Sequence, residues 1–543
     1  MRNKLIVLLL CGAMTMGALT GCGNTDSTGD VSEDKQSSEA TNSSETTEES
    51  GDVSEEKCYD DKLTITMTGV NTQVGLDYED DYMHYIEDMF NVDLEIMGNE
   101  WDGAAERFTL QTTGGSLHDL NLWLNFDWSG YYEYAEQGLF KAMPEDWAER
   151  WPDLYNMVDD TGFLEYLTVD GNIYALPHAA LGNQVDVDSK TLHTALYLRK
   201  DWASEVGMAD LGAEGYITLD ELRAYLVAVG EAGLASKPVI ATEGSIVTWI
   251  FEMACGVPST DFLDEGDGYI WSPTHPKYVT MIETMQEWYA DGLIDADFYS
   301  KSAVDYRDEF CAGQTAAFAY SGDPGNASQI LRSFETANPD KTFGDSIIML
   351  QLADENGVVY AQEDTNYWTA TVFSPDIDET VFERALDMMN WICTTDGEFF
   401  INMGIPEIDW TYGDDGLPVM LEGSLGGEAE YTNSFLALVM CGYCADDFTM
   451  CEVNPYIDDA VLSMSTQMVT LRDEGYIFPL AKDYILLASD SKDIYNGAID
   501  LNNLIVKIVC SEDDVETSLT AYMEENREIW ETLLNELNEF AGY

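Results

Sequence analysis

The chain has 543 residues, of which 45% are hydrophobic and 12% aromatic, so it can build large cores for two or three domains. Its 102 acidic residues against 24 basic residues give a formal net charge of −78, which repels phosphate backbones and excludes general nucleic-acid binding. After the first residues, no apolar run has the length of a membrane-spanning helix.

The first residues predict secretion and lipidation. A basic start, Met1-Arg2-Asn3-Lys4, precedes the apolar run Leu5–Leu10, which is the layout of a signal peptide. The segment then ends in Leu19-Thr20-Gly21-Cys22, which is similar to a bacterial lipobox. We therefore predict that residues 1–21 are removed and that the Cys22 sulfur carries a diacylglycerol. An ordinary signal peptide with a chance cysteine is the alternative.

Residues 22–57 are predicted to form a disordered acidic tether. After Cys22 they consist mainly of Ser, Thr, Glu, Asp and Gly, so they cannot bury enough apolar surface to fold. Such a solvated segment holds a folded body away from the membrane. Stable anchoring at Cys22 requires two or more acyl chains, because a single chain binds only marginally.

The remaining cysteines leave their chemistry open. Eight are left beyond Cys22, and they are scattered along the body rather than arranged as a disulfide framework. The one cluster combines Cys441 and Cys444 with Cys451. A structural zinc site usually has four ligands, and no fourth Cys or His lies nearby in the sequence. We favour packing or a local disulfide over zinc for this cluster.

The start of the body predicts alternating strands and helices. This pacing is typical of βαβ units and a mainly parallel sheet, in which ligands bind at the carboxyl ends of the strands. That rule places Asn71 and the loop Asn125–Tyr132 on one rim. The predicted elements are strand Lys62–Met67, helix Tyr82–Phe90, strand Val92–Ile96, helix Ala104–Thr112 and strand Asp119–Leu124.

A hairpin turn at Asp170-Gly171 then leads into a short apolar strand that we expect Pro177 to close. The segment Asp170–Pro177, followed by Leu196–Trp202, resembles type II extracellular solute-binding proteins of ABC importers, in particular the family-1 carbohydrate-binding lipoproteins. Six further segments match that family in order. They are Tyr134–Phe140, Thr218–Leu222 with its capping box, Trp288–Asp295, Phe310–Phe318, Ala385–Gly397 and Phe399–Gly404.

The resemblance implies a two-lobed α/β fold of the type II periplasmic-binding-protein kind, with the ligand held in the interlobe cleft and hinge strands that let the lobes close. Lobe 1 would be residues 58–175 plus 366–405, and lobe 2 residues 176–365 plus 406–543. The chain would cross between the lobes near Leu176-Pro177, Asn366–Trp368 and Ile405-Pro406.

The function implied is that of a membrane-anchored extracellular subunit that captures an oligosaccharide and delivers it to an ABC permease. We expect a monomer that needs no cofactor. An enzyme is disfavoured, since the sequence has no G-x-S-x-G elbow, His-x-x-x-His pair, P-loop or G-x-G-x-x-G after a strand. A glycosidase carboxylate pair among the many acidic residues and an oligopeptide receptor both remain alternatives.

The segment 210–221 partly fits a calcium-binding EF-hand loop. Its third position is Gly212, which offers no side-chain oxygen, so we prefer a turn before a capped helix. Some relatives carry a calcium loop farther on, where this chain has Glu231–Lys237 instead. We therefore predict no metal.

Sugar capture needs flat aromatic faces beside paired hydrogen-bonding groups. The predicted rim offers both aromatic rings and hydrogen-bonding groups, in Asn71 and in the loop residues Asn125, Asp127, Trp128 and Tyr132. We expect Trp128 to be exposed and to stack on a sugar ring. By the family's positions, the facing residues would be Trp249, Tyr320 and Asp323, with His178 and Trp368 at the crossings. The helical patterns around Trp202 and Trp288 place those two rings in the core.

Cys22→Ser should move the natively expressed protein from the membrane fraction to the medium, because the acyl chains would have no sulfur to attach to. Immunoblots of the two fractions measure this. Cys58→Ser is the matched control and should stay with the membrane. Equal membrane retention of both variants would contradict the predicted anchor.

Overall fold

A computed structural model describes residues 59–543, except 102, 181–193, 243, 258–260, 415 and 444–452. The predicted signal peptide, Cys22, the tether, Cys444 and Cys451 lie outside these residues. Within the described part of the chain, no helix is long and apolar enough to cross a membrane. In that part, no group of three Cys, His, Asp or Glu side chains is arranged to hold a metal ion.

Two five-stranded sheets organise the chain, and we call the region around each sheet a lobe. The first sheet has the strand order β2-β1-β3-β13-β4 and the second has the order β6-β11-β5-β10-β7. The strands are β1 (Leu63–Thr68), β2 (Val92–Met97), β3 (Leu120–Leu124), β4 (Ala175–Ala179), β5 (Thr194–Arg199), β6 (Tyr216–Thr218), β7 (Lys237–Ala241), β8 (Phe262–Asp264), β9 (Tyr269–Trp271), β10 (Thr315–Ser321), β11 (Ile347–Ala353), β12 (Tyr360–Gln362), β13 (Tyr367–Phe373), β14 (Trp410–Tyr412), β15 (Pro418–Met420) and β16 (Tyr476–Phe478).

Helices cover the faces of both sheets. Short 3-10 turns occur at Leu164–Leu167, Ser272–Thr274 and Val439–Cys441. The α-helices are α1 (Asp81–Phe90), α2 (Ala104–Gly114), α3 (Trp128–Glu136), α4 (Trp147–Arg150), α5 (Pro152–Asp160), α6 (Lys200–Glu205), α7 (Leu219–Ala232), α8 (Gly244–Cys255), α9 (Tyr278–Ala290), α10 (Ala303–Cys311), α11 (Pro324–Ala337), α12 (Phe343–Ser346), α13 (Glu379–Ile392), α14 (Thr395–Met403), α15 (Gly427–Glu430), α16 (Thr432–Leu438), α17 (Asp459–Glu474), α18 (Lys482–Leu486), α19 (Asp490–Ala498), α20 (Leu501–Val509), α21 (Val515–Glu525) and α22 (Arg527–Ala541).

The first three strands confirm the predicted βαβ pattern to within two residues at each end. Strand β1 pairs in parallel with β2 and β3, with Leu63 opposite Val92 and Met67 opposite Leu120. The other half of the sheet is antiparallel, because β13 enters between β3 and β4 with Thr371 between Leu122 and Leu176. The mainly parallel sheet that the sequence predicts therefore exists only on one side of β3.

The structure places two segments in the first lobe that lie beyond the predicted boundaries. Strand β4 continues through Pro177 to Ala179 in the first sheet. Later, α16 packs on the first core and the Val70 N–H donates to the Leu436 carbonyl at 2.8 Å. This approach requires Gly69, since a Cβ there would lie 2.4 Å from the Leu436 oxygen.

Helix α18 contacts both lobes. Leu486 at its end packs in the first core, whereas the next residue, Leu487, packs in the second. The Lys482 ammonium lies 4.4 Å from the centre of the first-lobe Tyr166 ring. The Leu487 carbonyl accepts a hydrogen bond from the Ser129 hydroxyl of the first lobe at 3.5 Å.

Trp128 belongs to the first core, which contradicts the prediction of an exposed ring. Only 1% of its surface is exposed, and its indole N–H donates to the Tyr367 hydroxyl at 2.5 Å. The rings of Phe126 and Phe163 lie 5.1 and 5.7 Å from it, centre to centre. Because β13 runs beside β3, its residue Tyr367 lies where it can bond to the Trp128 indole. Helix α3 begins at Trp128 and directs the Trp128 ring inward.

Trp128→Ala should lower the free energy of unfolding by about 3–5 kcal/mol, since it removes a buried ring and leaves a cavity. The control is Trp101→Ala, where a ring that is 47% exposed is lost and about 1 kcal/mol is expected. Denaturant midpoints of the two variants measure the difference. Equal midpoints would contradict the burial of Trp128.

Candidate ligand-binding site

Loops at the carboxyl ends of β1, β2 and β3 form a rim on the first lobe. The three strands run parallel, so these ends share one edge of the sheet. Asn71 and Asn125 lie in the first and third loops with left-handed φ angles of 49° and 55°, a conformation that asparagine tolerates. The Asn71 side-chain oxygen accepts from the Trp101 N–H of the second loop at 3.3 Å. The rim is therefore tied together by side chains of its own loops.

A pair of stacked tryptophans forms the aromatic part of this rim. The rings of Trp101 and Trp368 are 5.6 Å apart and nearly parallel, at 20°. Trp101 is 47% exposed, whereas Trp368 is half-buried. The Trp368 carbonyl accepts from the Phe126 N–H at 3.1 Å, which joins the start of β13 to the loop after β3. The pair thus offers an exposed flat face that is supported from behind.

Trp101 was not among the predicted site residues. It follows β2 by four positions, in the same kind of loop as Asn71 after β1 and Asn125 after β3. Applying the carboxyl-end rule to all three strands would have included it.

Asp127 remains exposed, and it begins helix α3. One of its carboxylate oxygens accepts from the Gly130 N–H at 2.7 Å as the helix N-cap. Burial lowers the pKa of Lys492, and the nearby charge of Asp127 opposes that lowering. Since Lys492 belongs to the segment after α18, Asp127 faces the junction between the lobes.

Tyr132 and His178 serve the interior of the first lobe. The Tyr132 hydroxyl donates to the Tyr166 carbonyl at 3.1 Å, and burial raises the pKa of Tyr132 to about 12. His178 is fully buried, and its two ring nitrogens lie 3.0 Å from the hydroxyls of Thr369 and Thr371. Burial lowers the pKa of His178 to about 3, so the ring is neutral at ordinary pH. The prediction that His178 lines the cleft is wrong, because it points into the pairing between β4 and β13.

On the second lobe, Asp323 organises the loop between β10 and α11. Its carboxylate accepts from the N–H and the side-chain amide of Asn326 at 2.8 and 2.7 Å, and from the Ser321 hydroxyl. The side chain is buried. Asp323 therefore fixes the start of α11 as its helix cap, and its oxygens are already engaged.

Tyr320 and Trp249 each keep part of their surface accessible. Tyr320, the last residue but one of β10, is half-buried and stacks on Phe318, with ring centres 5.7 Å apart. Trp249 lies half-buried on α8 against the second core. Residues 181–193 follow β4 and precede β5, and they lie outside the described residues.

The calcium-like loop is built as a turn. Gly212 has a φ of 72° and packs tightly on Leu350. The predicted capping box is confirmed, because the Glu221 carboxylate accepts from the Thr218 N–H at 2.9 Å and Thr218 caps Glu221 in return. This carboxylate, the last position of the EF-hand pattern, is thus used by the helix itself.

Together, the first-lobe rim combines an exposed indole face with two side-chain amides and one exposed carboxylate. Such a surface suits a ligand that has apolar C–H faces and many hydroxyls, since indole stacks on the former and amides and carboxylates pair with the latter. Among the predicted site residues, the structure brings Asn71, Asn125, Asp127 and Trp368 to this rim. It removes Trp128 and His178 from it.

No protein-family model matches the chain, and no curated protein matches it in sequence. Solved structures do match. One is the alginate-binding protein AlgQ2 without calcium ion, at 14% identity and a TM-score of 0.68, covering 88% of this chain and 98% of that one.

Two proteins of Streptococcus pneumoniae are also similar. The N-glycan transport solute-binding protein NgtS has 16% identity and a TM-score of 0.60, and covers 88% of this chain and 98% of its own. The ABC-transporter substrate-binding protein FusA in complex with kestose has 14% identity, a TM-score of 0.62 and the same coverage. The chain therefore has the two-lobed α/β fold that these solute-binding proteins share.

Proposed function

We propose that the protein is the extracellular substrate-binding subunit of an ABC importer and that it captures an oligosaccharide between its lobes. The observation that carries this proposal is the exposed Trp101 ring stacked on Trp368, flanked by Asn71, Asn125 and Asp127. Support also comes from the similar structures, since AlgQ2 is an alginate-binding protein, NgtS is an N-glycan transport protein and FusA is in complex with kestose.

In this function the rim would hold a sugar ring between an indole face and polar side chains. Stacking recognises the C–H face of the ring, and the amides of Asn71 and Asn125 supply both donors and acceptors for hydroxyls. Closure of the second lobe would exclude water from these contacts and strengthen them.

The contacts around α18 join the two lobes. Lys482 lies over first-lobe rings, and the Leu487 carbonyl accepts from Ser129 of the first lobe. These contacts hold the lobes together on one side of the junction. Delivery to a permease and anchoring through Cys22 complete the proposed role, with the acidic tether as spacer and the protein acting as a monomer.

A binding screen tests the proposal directly. The purified protein is titrated with kestose, Man5GlcNAc and an alginate tetrasaccharide by calorimetry, and the sugar is recovered afterwards. We expect at least one glycan to bind, to reduce the radius of gyration measured by X-ray scattering and to be recovered intact. New reducing ends would instead indicate a glycoside hydrolase. Binding of tripeptides but no glycan would indicate a peptide receptor.

Trp101→Ala should weaken binding of the glycan found in that screen by roughly three- to tenfold, because one aromatic face is lost. Tyr299→Ala is the matched control, since Tyr299 is 54% exposed and belongs to the second lobe, where the nearby Ile294 bridges Ile240 of β7. Calorimetry on both variants measures the change. Equal affinities for the two variants would show that the ligand does not rest on Trp101.

A further inference from the structure

A polar contact joins helix α15 of the first lobe to helix α11 of the second. The Glu428 carboxylate of α15 accepts a hydrogen bond from the Gln329 side-chain amide at 2.9 Å. Its other oxygen lies 3.4 Å from the Arg332 guanidinium, about one turn farther along α11. We call this set of three side chains the α15–α11 contact. None of the three belongs to the rim described above.

Glu428 is fixed to the first lobe. Helix α15 packs against α14, whose residues Phe400 and Ile401 lie in the first core. A Cβ on Gly427 would lie 2.4 Å from the Ile401 carbonyl oxygen, so the backbone beside Glu428 lies directly against α14. In addition, the Thr432 hydroxyl donates to the Glu428 carbonyl at 2.9 Å. A displacement of Glu428 relative to α11 is therefore a displacement of one lobe relative to the other.

The partners of Glu428 are fixed to the second lobe. Helix α11 packs through Ile330 and Phe334 in a core of that lobe. On the neighbouring helix α10, the Arg307 guanidinium donates to the Gln329 side-chain oxygen at 3.4 Å. This bond orients the Gln329 amide, because its oxygen faces Arg307 and its nitrogen then faces Glu428. The α15–α11 contact can therefore exist only while the two lobes lie close together.

Burial and charge oppose each other at Glu428. Burial raises the pKa of Glu428 and the nearby Asp323 carboxylate raises it further, whereas the Arg332 and Arg307 guanidiniums lower it. The pKa is raised overall, so the two guanidiniums offset only part of what burial of the charge costs. Paired charges in such surroundings give a small net stabilisation rather than a large one. A contact of this strength can break and form again.

Water reaches both charged side chains of the α15–α11 contact. The Glu428 side chain is 35% exposed and the Arg332 side chain is 44% exposed. Dissolved ions can therefore screen their attraction, as they do for other pairs near a protein surface. The strength of the contact should fall as the ionic strength rises, and this response distinguishes it from apolar packing between the lobes.

We propose that the α15–α11 contact is a latch that holds the lobes together while the cleft between them is empty. One lobe supplies the acceptor and the other supplies the donors, so the latch needs no bound ligand. Because each of its bonds is weak, the latch biases the lobes toward the closed arrangement without locking them there. It is a conformational device of the fold, separate from the rim that would contact a sugar.

The latch has a consequence for ligand affinity, and this consequence rests on the proposed function. A ligand that binds the closed arrangement loses part of its binding free energy when it must first close the lobes. Less is lost when the latch has already shifted the empty protein toward closure. Glu428→Ala should therefore weaken binding of a captured glycan about two- to fivefold, without any contact between Glu428 and the glycan.

The test measures the radius of gyration of the unligated protein by X-ray scattering. Glu428→Ala and Arg332→Ala should each increase the radius, because the lobes separate more often. The double variant should expand no further than Glu428→Ala, since both changes remove the same pair. Glu430→Ala is the matched control, because Glu430 is an exposed carboxylate of the same helix and has no ion pair among the described residues.

Salt provides a second measurement. In about 1 M sodium chloride the Debye length is about 3 Å, so the attraction between Glu428 and Arg332 is largely screened. The difference in radius between the unmodified protein and Glu428→Ala should therefore shrink. General repulsion among the many acidic residues responds to salt in both proteins, so the difference between them isolates the latch.

Larger radii in both single variants, no further expansion in the double variant and an unchanged radius in Glu430→Ala support the latch. Equal radii for the unmodified protein and both single variants overturn it. A double variant that expands by the sum of the two changes, or a difference that salt leaves unchanged, overturns it as well. Melting temperatures show whether each variant is folded, and Arg332→Ala decides alone if Glu428→Ala is not.

The scattering measurements use no ligand, so they separate the latch from the function proposed above. Failure to bind any glycan would overturn that function and leave the latch standing. Equal radii would overturn the latch and leave the function standing. If the unmodified protein and Glu428→Ala bind a glycan equally well, the effect of the latch on affinity is overturned.

Discussion

The insertion of β13 between β3 and β4 is the constraint on which the first lobe depends. The strand pairs with both neighbours, so the first sheet is continuous only when β13 is in place. It carries Trp368 to the rim, Tyr367 to the Trp128 indole and two threonines to His178. This one pairing therefore determines the aromatic part of the site, the packing of the core and the direction of the neighbouring loops.

Two of the scarce basic residues lie where the lobes meet. Only 24 are present against 102 acidic residues, yet the segment around α18 uses two lysines. The Lys492 ammonium is buried and donates to the carbonyls of Tyr484, Ile485 and Leu487, which fixes the end of α18. Lys482 lies over two first-lobe rings, where a cation gains from the electrons of the aromatic faces.

Local sequence patterns were sufficient to predict the elements whose structure depends on local interactions. Alternating apolar residues predicted β1 to β3, and apolar residues at helical spacing predicted α1 and α2. The Thr218–Glu221 capping box predicted the start of α7. The second sheet and the two-lobed arrangement followed from ordered family motifs, because no local pattern states which strands pair across two hundred residues.

Local sequence patterns could not predict the direction in which individual side chains point. Trp128 and His178 point inward because β13 runs beside them, and β13 lies far away in the sequence. Asp127 was placed correctly in a loop, but its role as a helix cap depends on α3 starting at the next residue. The segment 427–441 joins the first core through the close approach at Gly69, and the hydrophobic pattern gives no sign of that contact.

The position of β13 also sets the order in which the molecule can be completed. Strand β4 ends at Ala179 and β13 begins at Tyr367, so roughly 190 residues, including all five strands of the second sheet, are synthesised between them. Until β13 is in place, β3 and β4 each lack this neighbour, and unpaired strand edges invite aggregation. The first lobe therefore begins earliest in the chain, yet it cannot complete its sheet until a strand that follows the whole second sheet has joined it.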